Sequence, residues 1–477
     1  MNDYPLPPEI HPPPEKTIQI ISTSIVEPAA SPPNTTNHHD IEIQFTPFDI
    51  QFLPLQYAQR GLLFRNPSPQ KPNSPSTIPR LKTTLSRALS IFPPFAGRLA
   101  AVQYDDDGTA SFSLNCNGAG ALVVHAVANG LSAADILHSD DPTSPGVLHS
   151  LFSMNGAYGC EGVSKPLLVV QFTQLADGFF MGFTFSHAAA DGSSFWHFLS
   201  TWSEISRNAA AESVSPQSEL ILENPVPVIG TWFLDGIEPP IRFPFSFDET
   251  VQKPPISLPL PPLLQRIFHF SKDKIAQLKA RANSEQTDIG SAKPISSFQS
   301  MLAHIWRAVI RNSHGLDPDE EVHCKLLVDF RHRLRPKLPE AYFGNVVLFA
   351  TATASAGDLA AKGIGFAALK LNETVERQTD GEGRRWVKEW MEKPEVRKLG
   401  AMARNSLIVA DSPRFEVYGN DFGWGKPVAV RAAGNYSDGK VTVLRGKEEG
   451  SVDVQICLVD ATMKGIGNDS EFMEFVG

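Results

Sequence analysis

The sequence predicts an α/β protein of mixed sheets with helices, folded as two halves. Three observations carry this. Short strand-like runs alternate with helical stretches along the chain. Two apolar runs flank an Asp-Gly turn and make a clear hairpin. Much of the proline, 39 Pro against 34 Gly, falls in an N-terminal arm and one central stretch. Regular structure cannot persist there, because Pro is excluded from helix and strand interiors.

The elements follow in chain order. The N-terminal arm runs to about Asn37 and is interrupted by an apolar β-like run, Ile18 to Val26. A helix is expected from Arg80 to Ile91, stopping before Pro93. Strands are expected between Ala110 and Val127. The hairpin is LLVVQFTQL, then Ala176-Asp177-Gly178, then FFMGFTFSH. A helix follows, roughly Gly192 to Arg207. The stretch from Ser215 to Pro262 holds NPVPV, EPPIRFPF and LPLPP and reads as an extended connection. It divides the chain into residues 1–214, a connection over 215–262, and residues 263–477. The second half opens with strand RIFHF and a helix capped by Ser271. A helix from Ser296, strands KLLVDF and NVVLFATAT, a helix near Gly365, and strands VTVL and VDVQICL complete it.

Composition narrows the function classes. With 42 Lys+Arg against 52 Asp+Glu in 477 residues the net charge is −10, which argues against a nucleic-acid partner. No polybasic run suggests a membrane patch. No apolar stretch reaches the ~18 residues of a membrane span, and the N-terminus lacks the basic start and apolar core of a signal peptide. A soluble, cytoplasmic protein is expected. The four cysteines, Cys116, Cys160, Cys324 and Cys457, form no CxxC pair. Reduced, buried thiols are expected, and no metal site.

Several motif-like stretches fail on context. Gly363-Ile-Gly365 opens a helix, but no strand leads into it and no acidic residue follows at the distance a dinucleotide site needs. Neither a phosphate-cradling loop ending in Gly-Lys-Ser/Thr nor a G-x-S-x-G elbow is present. Asp105 to Asp107 and Asp317 to Glu321 read as solvated turns. His304 lies mid-helix beside Ile305 and Trp306 and reads as structural.

Two His-x-x-x-Asp patterns occur, where roughly one is expected by chance. His269 to Asp273 is explained locally, as a strand end, an N-cap and an acid in a first helical turn. His187-Ala-Ala-Ala-Asp191 differs. His187 sits at the mouth of an apolar strand, and only alanines and Gly192 crowd it. Small residues there let a substrate approach an imidazole, the commonest general base. A capping role for Asp191 is compatible with that.

The whole pattern resembles the plant BAHD acyl-CoA-dependent acyltransferases. FTFSHAAADG is similar to the family's HxxxDG segment, and Asp421-Phe-Gly-Trp-Gly425 matches its DFGWG segment letter for letter. LKTTLSRALSIFPPFAGRLA, SSFQSMLAHIWRA and VDFRHRLRPKLPEAYFGN match in the right order. The tail resembles a poorly characterised, acetyltransferase-like branch that includes cuticle-associated members.

The resemblance implies a fold and a chemistry. It implies two chloramphenicol-acetyltransferase-like domains joined by a long crossover loop, with a channel between them, in a monomer. It implies acyl-CoA as co-substrate, a small-molecule alcohol or amine as acceptor, and no permanently bound cofactor. His187 would be the general base of a direct transfer without an acyl-enzyme. Asp191 would form a structural salt bridge with Arg331. Asp421, Phe422, Gly423 and Gly425 would support the site as a structural loop. Trp424 could offer its indole N–H to an oxyanion. Arg414 would either bind an acceptor carboxylate or be a solvated arginine. The family's upstream Thr-Ser-Trp run is replaced by Ala410, Asp411 and Ser412, which argues against a shikimate- or quinate-type acceptor. A BAHD-like enzyme turned to lyase or condensation chemistry, and a non-catalytic binding protein, are the alternatives.

Overall fold

The structure, a computed structural model, describes residues 17–30, 41–65, 76–137, 145–211, 222–230, 234, 236–247, 262–288, 293–396, 405–434 and 436–477. Much of the proline-rich sequence (1–16, 31–40, 212–221 and 248–261) lies outside the described residues.

The first part of the chain supplies strands β1 Thr17–Val26, β2 Glu42–Gln44, β3 Ala58–Arg65, β4 Arg98–Tyr104, β5 Thr109–Asn115, β6 Ala121–Asn129, β7 Leu168–Gln174, β8 Gly178–Phe185 and the two-residue β9 Phe243–Pro244. The remainder supplies β10 Leu263–Phe270, β11 Glu321–Asp329, β12 Val347–Ser355, β13 Ser406–Ala410, β14 Ala429–Ala433, β15 Lys440–Arg445 and β16 Val452–Val459. The helices that matter for the site are α1 Pro47–Ile50, α2 Thr77–Ile91, α3 Gly192–Ala211, α4 Lys272–Asp288, α5 Ser297–Arg311 and α6 Gly363–Glu376.

These strands form two six-stranded mixed sheets, ordered β1-β6-β7-β8-β3-β14 and β10-β16-β15-β13-β11-β12, and a smaller one, β2-β5-β4, with β9 on β5. The first large sheet takes its last strand, β14, from the second half of the chain. There Ala432 pairs with Arg60 and Ala433 with Gln59. Val228, within the central connection, bridges to Tyr342.

Every residue of strand β8 is buried, and all but Thr184 are apolar, as expected of a central strand covered on both faces. On one face Phe179, Met181, Phe183 and Phe185 pack with Leu81, Leu85, Phe195 and Trp202 of α2 and α3. On the other, Phe180 meets Leu151 and Phe152. Gly178 is required by a close approach: a Cβ there would lie 2.2 Å from the Phe64 carbonyl oxygen. The second sheet is built similarly, with Val441, Val443, Val454 and Ile456 facing α4, α5 and α6. Helix α5 begins in a capping box in which Ser296 Oγ accepts from Gln299 N and Gln299 Oε1 accepts from Ser296 N. His304 is buried on that helix and stacks on Phe472 at 5.2 Å, in a packing role.

Candidate active site

His187 stands two residues past the end of β8, in the turn that leads into α3. The rigid sheet fixes its backbone; Ala188, Ala189 and Ala190 are buried, and His187 itself is half-buried. Its imidazole stacks on Phe52, with centroids 3.9 Å apart and planes 18° from parallel. Burial lowers its pKa, and the charge of Asp191 only partly opposes this. The ring is therefore a neutral imidazole near pH 7, the form a general base needs.

The polarity of that ring is set by its neighbours. His187 Nδ1 is buried and makes no hydrogen bond to another described group. Its own carbonyl and the Asn345 side chain hold the His187 pKa up against burial. Asn345 is 1% exposed. Its Nδ2 donates to the His187 carbonyl at 2.9 Å, to the Ala188 carbonyl at 3.3 Å and to Asp49 Oδ1 at 3.1 Å. Three acceptors around one atom make it the amide nitrogen, which leaves Oδ1 as the acceptor. Asn345 Oδ1 is itself buried and otherwise unpaired among the described residues. Asp49, on α1, is fixed in turn by Thr46, whose N and Oγ1 donate to Asp49 Oδ2 at 2.9 and 2.7 Å. Burial raises its pKa to about 6 against the pull of those hydrogen bonds.

Asp191 faces away from the imidazole. Arg331 Nη1 and Nη2 donate to its two oxygens at 2.7 and 2.8 Å, and Ser194 N donates at 3.0 Å. Both partners are almost fully buried, with 3% and 1% of their side chains exposed. Burial and the field of Asp191 compete on Arg331, and its pKa ends above the ordinary arginine value; that of Asp191 ends below the ordinary carboxylate value. Arg331 also donates to the Ser194 hydroxyl and to the Tyr342 and Gly344 carbonyls. The pair thus ties the turn before α3 to the segment after β11.

The Asp421–Gly425 loop lies elsewhere. Asp421 Oδ1 accepts from Gly423 N at 2.8 Å and Gly425 N at 2.9 Å, closing the loop on itself. Gly423 has φ +97° and Gly425 φ +106°, and a Cβ on Gly423 would meet the Ala210 methyl at 2.6 Å. Phe422 packs edge-on against Trp202, and its carbonyl accepts from Arg80. Trp424 packs on Phe179, at 5.0 Å, and on Phe64. Phe179 is at the hairpin end of β8 and His187 is past the other end. The six residue steps of extended chain from Phe179 to Phe185 span about 20 Å. Trp424 thus packs in an aromatic core at the hairpin end of β8, with its indole Nε1 buried and without a hydrogen-bond partner among the described residues.

Arg414 is exposed, and its side chain makes no hydrogen bond or ion pair among the described residues. The segment around it nonetheless borders the site, because a Cβ on Gly192 would lie 2.9 Å from the Phe415 ring. In that segment Asp411 has φ +67° and ion-pairs with Arg60 of β3, both nearly buried. Arg60 is close enough for its charge to act on His187.

Sequence reading missed Asn345, Asp49, Phe52 and Arg60. Asp49 was hidden because Thr46-x-x-Asp49 is also a helix-capping signature, and it does cap α1. Asn345 lay inside a stretch quoted only for its likeness to the family. Arg60, a charge inside a nearly all-buried strand, was the available signal.

The four free cysteines are all buried. Among the described residues no His/Cys/Asp/Glu group could hold a metal, and no helix is long and apolar enough to cross a membrane.

Comparison with known proteins places this arrangement. The sequence model of the Transferase family matches residues 16–473. An Arabidopsis thaliana protein described as an uncharacterized acetyltransferase is 41% identical, over 96% of this chain and 99% of its own. The BAHD acyltransferase DCR of the same plant is 33% identical, over 96% of this chain and 92% of its own. Among solved structures, that of F. sporotrichioides TRI101 complexed with coenzyme A and T-2 superposes with a TM-score of 0.68 at 17% identity, covering 92% of this chain and 99% of that one. The chain belongs to the BAHD branch of the Transferase family and is an acyltransferase.

Proposed function

We propose that the protein transfers an acyl group from a CoA thioester to a hydroxyl or amine of a small plant metabolite, in a ternary complex and with His187 as general base. The observation that carries this is the setting of His187: a neutral imidazole just past a strand end, flanked by small residues. In this reading Nε2 is the free base.

In the reaction the acceptor O–H or N–H gives its proton to Nε2 as its lone pair attacks the thioester carbonyl. The C–S bond breaks as the tetrahedral intermediate collapses, and the thiolate of CoA takes the proton back from Nε2. Asn345 and Asp49 are positioning residues. Asn345 anchors the His187 carbonyl, and Asp49 accepts from the Asn345 amide and holds it in that orientation. Asp191 and Arg331 hold the turn and exchange no proton. The Asp421–Gly425 loop supports the aromatic core under β8.

In this reading residues 1–214 and 263–477 are two acyltransferase domains, joined by a crossover over 215–262, with the substrate channel between them. The bridge from Val228 to Tyr342 and the β9–β5 pairing support a connection that runs across both halves. The protein is taken to act as a cytoplasmic monomer.

The test is a screen of acyl-CoA donors against alcohols and amines, read by mass spectrometry of the products. Acylated products that require the thioester are expected. Conversion of a substrate in the absence of any CoA thioester would replace transfer with lyase or condensation chemistry.

A further inference from the structure

The proton that His187 accepts turns its ring into an imidazolium, and among the described residues no carboxylate forms an ion pair with that ring. The side chain is half-buried, its Nδ1 fully so, and Nδ1 makes no hydrogen bond to another described group. In a Ser-His-Asp triad a carboxylate on that nitrogen stabilises the imidazolium. Here the nearby charged groups are engaged elsewhere. Both oxygens of Asp191 accept from Arg331. Asp49 accepts from Thr46 and Asn345. Arg60 is paired with Asp411. A cation drawn partly out of water without a partner is costly, and that cost would fall on the transition state.

Phe52 lies nearly flat on the imidazole. Among the described residues two aromatic rings approach it: Phe185, with centroids 6.4 Å apart and planes at 32°, and Phe52, at 3.9 Å and 18°. The face of a phenyl ring is the negative part of its quadrupole. A cation within about 6 Å of the centroid is attracted to that face, most strongly where water is excluded. Phe52 is 1% exposed. It packs in one apolar cluster with Ala188 and Ala189, the two residues that follow the base. Its backbone is pinned on several sides. Phe52 N donates to the Asp49 carbonyl at 3.0 Å, and Cys160 N donates to the Leu53 carbonyl at 2.9 Å. Gln51 Nε2 donates to the Val347 carbonyl at 3.0 Å. Gly159 allows a close approach, since a Cβ there would lie 2.5 Å from the Phe52 carbonyl oxygen. One short segment thus meets His187 twice, at the ring through Phe52 and at the carbonyl through Asp49 and Asn345.

We propose that the face of Phe52 stabilises the imidazolium that His187 becomes during transfer. Phe52 is then a positioning residue that acts through the base without touching substrate. Its attraction is weak toward the neutral ring and stronger toward the charged one. It therefore favours the transition state over the ground state, the condition for raising kcat. This rests on the reading of His187 as general base and names what meets the charge that the base acquires.

The test places phenylalanine with three or five ring fluorines at position 52 of the full-length protein, which keeps the ring's shape and drains its negative face. The His187 C2–H signal is followed in a proton NMR titration with labelled histidine, and is identified by its loss in His187→Ala. The titration midpoint should fall stepwise with fluorination, by about 0.5 to 1.5 pH units for the fully fluorinated ring. In thiol release from acetyl-CoA, with an acceptor from the screen, kcat should fall about 3- to 10-fold in step with the midpoint. The KM for acetyl-CoA should stay within about twofold, and the melting temperature should be kept. Phe52→Leu, which removes the face altogether, should lose a similar factor in kcat. A midpoint that does not respond to the fluorines overturns the proposal, and this readout decides it even if no acceptor is found. A midpoint that falls while kcat holds keeps the Phe52 contact and sinks the general-base reading instead.

Discussion

Replacing Asn345 with Ala tests how the imidazole is aimed. The substitution removes three donor contacts, to the His187 and Ala188 carbonyls and to Asp49. The ring keeps its stacking on Phe52, so its aim is loosened without being lost. A loss of about 1.4 to 2.8 kcal/mol in holding the aimed ring corresponds to a fall of about 10- to 100-fold in kcat. The KM for acetyl-CoA should stay within about twofold, because Asn345 is not placed to hold the cofactor. Stability should also fall, by about 1–3 kcal/mol, since Asp49 loses a donor in a buried setting. Thiol release from acetyl-CoA, with an acceptor from the screen, measures the rate, and thermal denaturation measures the fold. A folded Asn345→Ala protein with wild-type kcat would refute the reasoning.

Other perturbations separate chemistry from scaffolding. Asp191→Ala should destabilise the protein by about 3–5 kcal/mol, seen as a lowered melting temperature, because it strands the Arg331 charge in the interior. Trp424→Phe should keep kcat within about twofold, measured with the same thiol assay, since the indole is packed at the far end of β8. Gly423→Ala should cost about 1–3 kcal/mol in denaturant unfolding, because φ +97° is strained for any residue with a Cβ. The pH profile of kcat should hold down to about pH 6 and fall below it. There Asp49, with its pKa raised to about 6, takes a proton and loosens Asn345, and His187 takes one below the ordinary imidazole range, its pKa depressed by burial. Asp49→Asn should lower kcat on the plateau and leave an acid limb set by His187 alone.

Local patterns were the parts of the molecule most legible from sequence. The Asp-Gly hairpin, the helix start at Ser296 and the apolar run of β8 are each written in consecutive residues, and each is found where expected. Helix α3 runs on to Ala211, past the expected end near Arg207, because no Pro or Gly stops it there. Strands β3, β13 and β14 were not anticipated. In β3 a Gln, an Arg and a Gly interrupt the apolar pattern, and in β14 five buried residues mix small side chains with Arg431. The tertiary partners of such strands, rather than their own periodicity, make them strands. The site divides in the same way. His187 and Asp191 were visible as a motif with small residues between them. Asn345 lies 158 residues from His187. Nothing in a one-dimensional pattern brings them together.

The central claim is that His187 removes the acceptor proton. His187→Ala tests it most directly, with acyl transfer and CoA binding measured on the same preparation. The account predicts that transfer falls by at least about 100-fold, the usual contribution of a positioned general base, while the Kd for CoA stays within about twofold. Near-normal turnover in that variant would contradict it.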